Sequence, residues 1–352
     1  MSERGSAPFS RRDPDEVYRS FQWFTPRRRR ATVYEDVTID TQPSVARHMD
    51  RGWPLHFEDG RPLWNSASTA LRCDDWHEFR DPREQWERTF YQKSAQYERG
   101  IEDAVRSGRE DRLFEDFTKE WIDFLRAHLQ VPAFVEYGLW LPTASAQREC
   151  LSDSIAHCVG LEAATKQRQA QALALYGMDL EEQFGDFAIE QARETFLRDP
   201  SWQPVRDYLE RLLTVDDWGE VIVAANVCFE PLVGIALRRE LLLRSAAQNG
   251  DLVTPEVVRP AQLEWDWVRD WTGELLRFVI LGEEYGSSNR TIVKGWIADW
   301  LPRARAALAA LEPVFAALPS GDDFGTTLER VERDLDALLE ESGVGGLAEA
   351  VS

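Results

Sequence analysis

The chain has 352 residues, 43% of them hydrophobic and 29% charged, which is enough to bury a sizeable core as one large or two modest domains. Its formal charge of -21 carries the same sign as phosphate and argues against nucleic acid or an anionic membrane as partner. No basic stretch followed by an apolar run opens the chain, and no apolar run of about 18 residues stands out as a bilayer span, so the expectation is a cytoplasmic protein. Cys73, Cys150, Cys158 and Cys228 are scattered, with no Cys-x-x-Cys pair, and read as reduced structural residues. The 14 Trp residues suit either a core or a subunit contact.

Residues 1–80 read as an extended N-terminal arm. Pro8, Pro14, Pro26, Pro43, Pro54 and Pro62 break any long periodicity, while Phe21, Trp23, Phe24, Tyr34, Trp53 and Trp76 supply aromatics that a segment of this kind cannot bury on its own. Those six, with Arg30, are the candidate residues for docking on a partner. Thr32 to Ile39 alternates polar and apolar residues and reads as a strand or an extended docking segment. The Arg27-Arg28-Arg29-Arg30 run lies in a segment, Met1 to Gly60, that holds ten basic and ten acidic residues, so it suits an acidic protein patch or a solvated tether.

Helical signals begin at Asp81-Pro82-Arg83-Glu84, where Asp81 can cap, Pro82 suits the first turn and Glu84 can reach back. Trp86, Phe90, Tyr97 and Ile101 share one helical stripe; Phe114, Phe117, Trp121, Phe124 and Leu125 share another. Pro132 predicts a break. Helices follow over Ser152–Tyr176, Phe184–Arg198, Trp202–Leu213, Trp218–Gln248, Gln262–Leu281 and Arg290–Leu318, with Gly250 as a stop and Thr254-Pro255 opening the next turn. Several long helices joined by short loops predict an all-α bundle over 81–320 and a C-terminal helix or tail over 321–352.

Bundles of this size often hold two metals on inward Glu residues and Glu-x-x-His pairs, because one helical turn sets both groups on the same face. The residues three places before His48, His56, His77, His128 and His157 are Val45, Trp53, Asp74, Leu125 and Ser154, so the sequence contains no Glu-x-x-His. Asp74-Asp75-Trp76-His77 has the spacing with Asp in place of Glu, but stands alone and reads as a turn. There is no nucleotide-binding glycine loop and no Gly-x-Ser-x-Gly elbow. His157 and Cys158 are adjacent, and neighbours on a helix point about 100 degrees apart. Packing is therefore the reading for Cys158, not nucleophilic catalysis.

The ordered set Arg30-Ala31-Thr32-Val33-Tyr34-Glu35-Asp36-Val37-Thr38-Ile39-Asp40, Asp75-Trp76-His77-Glu78-Phe79-Arg80-Asp81-Pro82, Arg168 to Tyr176, Asn226-Val227-Cys228-Phe229-Glu230-Pro231-Leu232-Val233, Glu264-Trp265-Asp266-Trp267 and Gly295-Trp296-Ile297 resembles the small (beta) hydroxylase subunits of soluble di-iron monooxygenases. The similarity is to the propane, phenol and toluene branch. It implies a ferritin-like bundle without cofactor or metal of its own, paired with a catalytic alpha subunit that carries the di-iron centre. The implied assembly is two-plus-two, with or without a gamma chain, served by a reductase and a coupling or regulatory protein. It would hydroxylate a small alkane such as propane, or a phenol or other aromatic. The alternative is a free-standing helical regulatory or binding protein of the same descent. The resemblance also sets Lys166-Gln167-Arg168-Gln169 on the turn where a catalytic relative has Glu-x-x-His. Lys166 or Arg168 is then expected to pair inside the bundle with Glu230 or Glu264, because a buried carboxylate without its metal is costly unless it is paired or protonated.

Overall fold

The computed structural model describes residues 21, 24–28, 30–39, 41 and 65–345, and among these all regular structure is helical. The helices are α1 (Val33–Thr38), α2 (Glu87–Glu110), α3 (Lys119–His128), α4 (Val131–Gln147), α5 (Asp153–Phe184), α6 (Ile189–Arg198), α7 (Gln203–Leu212), α8 (Trp218–Asn249), α9 (Thr254–Ile280), α10 (Gly286–Ala310), α11 (Glu312–Ala316) and α12 (Phe324–Glu341).

A bundle of α4, α5, α8 and α9 forms the centre. Helices α4 and α5 make an antiparallel hairpin: Gln147 lies against Gly160 at one end, and Gln130 crosses Gly177 at the other. Pro132 does end a helix, because it sits in the first turn of α4 just after α3 closes. There its missing N–H costs nothing. Helix α8 is wrapped by α9, α10 and α12. It holds an 18-residue window of mean hydropathy 1.8, long and apolar enough to cross a bilayer, and 94% of that window is buried inside the bundle. The expectation that no such run exists is therefore corrected: this is a core helix enclosed on all sides, where no face needs polar residues. After a regular first turn α8 widens into π-helical turns over Val223–Gly234 and Ala236–Leu243, and Pro231 lies within the wide stretch. Gly250, at φ 77, ends this run in the left-handed region, and a Cβ there would meet the Asp116 carbonyl oxygen at 2.0 Å.

Two local expectations are corrected. Thr32 to Ile39 is neither strand nor extended segment: Val33–Thr38 is a helical turn closed by a capping box, in which Thr32 Oγ1 accepts from Glu35 N and the Glu35 carboxylate accepts from Thr32 N. Asp81 does not cap α2, which starts at Glu87. Its carboxylate instead accepts from the backbone N–H groups of Arg83 and Gln85 and from Trp267 Nε1 at 2.9 Å, and Glu84 turns to φ 47. A buried Trp N–H seeks an acceptor, and Asp81, 1% exposed, supplies it.

Candidate functional site

Each of the four central helices sends charge or polarity inward. Glu136 comes from α4, Glu162, Lys166 and Gln169 from α5, Asn226, Glu230 and Arg238 from α8, and Glu264 and Thr272 from α9, all of them buried. Lys166 Nζ donates to Glu230 Oε1 and lies 3.5 Å from Glu136 Oε2. Arg238 spans the same two carboxylates, with Nη1 3.0 Å from Glu136 Oε1 and Nη2 on Glu230 Oε2. Glu230 and Arg238 are eight residues apart on α8, and Gly234 lies between them. A Cβ at Gly234 would come within 2.2 Å of Glu230 Oε2 and 3.1 Å of Arg238 Nη1, so only glycine lets the carboxylate–guanidinium pair lie along the helix surface.

A second pair stands apart. Arg168 Nη2 donates to Glu264 Oε2, and Gln169 Nε2 donates to the same oxygen at 3.3 Å. The Arg168 guanidinium also covers the Tyr97 ring at 5.7 Å. The structure thus brings Lys166 to Glu230 and Arg168 to Glu264, as two separate pairs. Glu136, Glu162, Asn226 and Arg238 were not singled out from the sequence. The available signal was the Glu230-x-x-x-Gly234-x-x-x-Arg238 spacing, which lines up three positions on one face.

The electrostatics follow from burial and pairing. Burial pushes Glu230 up, but Arg238 and then Lys166 outweigh it and hold the carboxyl down at about 2. Lys166 is held above its usual range by Glu136 and Glu230 against the pull of burial. Glu162 is pushed up to about 7 by burial, with Lys166 and Asn226 opposing. Its Oε2 accepts from Asn226 Nδ2 at 3.0 Å, while Oε1 has no hydrogen-bond partner. Three carboxyls and two cations thus approach neutrality as Glu162 takes a proton. Beside this cluster lies a void of about 20 Å³ bordered by Pro132, Leu139, Leu173 and Val258, room for about one water.

This donor set does not fit a di-iron centre. The carboxylates face Lys166 and Arg238, none of the cluster residues is a histidine, and among the described residues no group of three or more His, Cys, Asp and Glu is placed to hold a metal. Asp75 caps a short turn by accepting from His77 N. Cys158 is buried, and its thiol is pushed well up by burial and then by Asp81, whereas His157 turns away to Glu87.

The docking candidates divide. Trp23 and Trp53 lie outside the described residues. Tyr34, only 2% exposed, accepts from Asp81 N at 3.0 Å. Trp76 stands edge-on to Trp218 at 5.4 Å between ring centres. Tyr34 is taken up by the chain's own body, which corrects its assignment to a partner, whereas Trp76 is half-buried. Phe21 and Phe24 pack ring on ring at 4.5 Å, and Phe24 lies under the Arg80 guanidinium. Arg30 is exposed.

Fold and site together define a ferritin-like helical bundle whose centre is closed by ion pairs. The family model described as methane/phenol/alkene hydroxylase matches residues 53–282, and the chain belongs to that family. It is 34% identical to the propane 2-monooxygenase hydroxylase component small subunit of Rhodococcus jostii, over 97% of this chain and 93% of that one. It is 28% identical to the methane monooxygenase component A beta chain of Methylococcus capsulatus, over 88% and 83%. Among solved structures, a chain of phenol hydroxylase from Pseudomonas sp. OX1 superposes with a TM-score of 0.75 at 19% identity, covering 89% of this chain and 90% of that one. A chain of toluene 4-monooxygenase does so at 0.72 and 20%, covering 87% and 100%.

Proposed function

We propose that this chain is the small, non-catalytic subunit of the hydroxylase component of a multicomponent di-iron monooxygenase, working in the cytoplasm. The observation that carries the proposal is the filled bundle centre. Lys166 and Arg238 occupy the space between Glu136 and Glu230, the kind of position at which a ferritin-like enzyme seats its metals on inward carboxylates. In this reading a large alpha subunit carries the di-iron centre and activates O2. Electrons come from reduced nicotinamide through a reductase, and a coupling protein regulates the cycle. The small chain supplies structure to an assembly of two alpha and two beta chains, with or without gamma. The similarity to small subunits of propane 2-monooxygenases favours a small alkane such as propane as the substrate of the complex, ahead of a phenol or another aromatic.

Co-expression with the large hydroxylase subunit of the same organism tests this. The expected product is a stable hetero-oligomer by sedimentation, with iron and substrate-dependent O2 consumption that both require the large subunit. The chain purified alone should hold no stoichiometric iron. About two irons per isolated chain, or no association with the large subunit, would overturn it.

A further inference from the structure

The two ion-pair systems at the bundle centre each keep polar side-chain atoms that no other described residue bonds. They are Glu136 Oε2 and Arg238 Nε in one system, and Arg168 Nε and Gln169 Oε1 in the other. Glu136, Gln169 and Arg238 are each 5% exposed, and the Arg168 side chain is nearly as buried. The nearest cation to Glu136 Oε2 is Lys166 Nζ at 3.5 Å, longer than a good hydrogen bond. These four residues come from three helices and border one and the same void of about 20 Å³, whose wall is otherwise largely apolar. Buried polar atoms are seldom left without a partner, and four of them around one void call for an occupant that serves both systems.

We infer that this void is a built site for a single internal water, which joins the two ion-pair systems and is reached from the surface past Arg168. Size sets the first limit, because 20 Å³ exceeds the roughly 10–15 Å³ that one water needs and leaves no room for a larger ligand. Charge sets the second. Lys166 and Arg238 already balance Glu136 and Glu230, and Arg168 balances Glu264, so an ion placed here would stand uncompensated in the core. Hydrogen bonding sets the third. Two N–H donors, on Arg168 and Arg238, and two acceptor oxygens, on Glu136 and Gln169, match a molecule that accepts twice and donates twice. An apolar gas would leave all four unpaired, and only voids lined by apolar groups alone stay dry. The way in is given by Arg168 and Ala172, which border the void and also a groove of about 830 Å³ between α2 and α5. Arg168, held on Glu264, therefore stands between groove and void, and its pair must loosen for the water to exchange.

A high-resolution crystal structure of the wild-type chain, alone or in complex, tests the site. It should show one ordered water within about 3.3 Å of at least three of the four atoms. An empty void in a map that orders other internal waters would overturn the site, and so would the four atoms bonded directly to one another. Xenon occupying the void in a pressurised crystal would do the same, because it would mark the void as apolar. Water-proton and oxygen-17 relaxation dispersion in solution tests the entry. Arg168→Met and Glu264→Gln each loosen the pair, and each should shorten the residence time of one internal water at least about tenfold while other internal waters keep theirs. The second variant keeps side-chain shape and serves if the first does not fold. Residence times unchanged in a folded variant would overturn Arg168 as the point of entry.

Discussion

Replacing Lys166 by Met removes a cation from between Glu230 and Glu136 while keeping most of the side-chain volume. Lys166 is 3% exposed, so water cannot take over its role, and Glu230, fully buried, keeps Arg238 as its only cation. Removing one partner of a buried pair costs about 3–5 kcal/mol, largely because the other charge is left behind. Unfolding entropies near 2.1 cal/mol/K per residue amount to about 740 cal/mol/K for this length, so the loss corresponds to roughly 4–7 °C in Tm. Calorimetry or a circular-dichroism melt of the purified chain reads it directly. Adding Glu230→Gln to Lys166→Met removes the stranded carboxylate and leaves Arg238 on Glu136. The double variant should recover to within about 2 °C of wild type, a coupling that independent sites do not show. A single variant that melts within 1 °C of wild type, or a double variant worse than both singles, would refute the account of the bundle centre as a balanced charge cluster.

Glu162 governs the pH response of the same cluster. Its carboxyl is raised from 4.5 to about 7 in the folded chain, so the stability it contributes is present below pH 4.5 and is lost as pH rises through 7, to a total of about 3 kcal/mol. Glu230 is depressed to about 2, so its contribution is present above 4.5 and is lost only as pH falls through 2. Of these two carboxyls, only Glu162 changes its contribution between pH 5 and 8. Glu162→Gln should melt with the wild type at pH 5 and above it at pH 8, and a Tm difference that is flat across this range would contradict the assignment. Gly250→Ala should cost more than 2 kcal/mol in denaturant unfolding, because the left-handed φ and the Asp116 carbonyl 2.0 Å from the new Cβ act together; a midpoint within error of wild type would contradict it.

What the sequence determined by itself was local. Period-3.6 stripes such as Phe90 to Ile101, the stop at Gly250 and the break at Pro132 depend on neighbours a few residues away, and backbone geometry reads those directly. The stripe from Phe114 to Leu125 is instead split, with Phe114 in a short 3-10 turn and Phe117 in extended chain before α3 begins. The ordered motifs led to the family, and through it to the expectation that Lys166 or Arg168 pairs with Glu230 or Glu264; the structure sorts these into Lys166 with Glu230 and Arg168 with Glu264. Tertiary structure decided what depends on distant partners. Thr32 to Ile39 is a capped turn because it packs on α5, with Tyr34 held by the Asp81 backbone. Asp81 cannot begin α2 because Trp267, 186 residues away, takes its carboxylate. Glu136 and Arg238 lie 102 residues apart on helices that each look complete alone, and only the bundle brings them to Lys166. A buried charge is stable only where its partner arrives from another helix, and the pattern of a single helix carries no record of which helix that is.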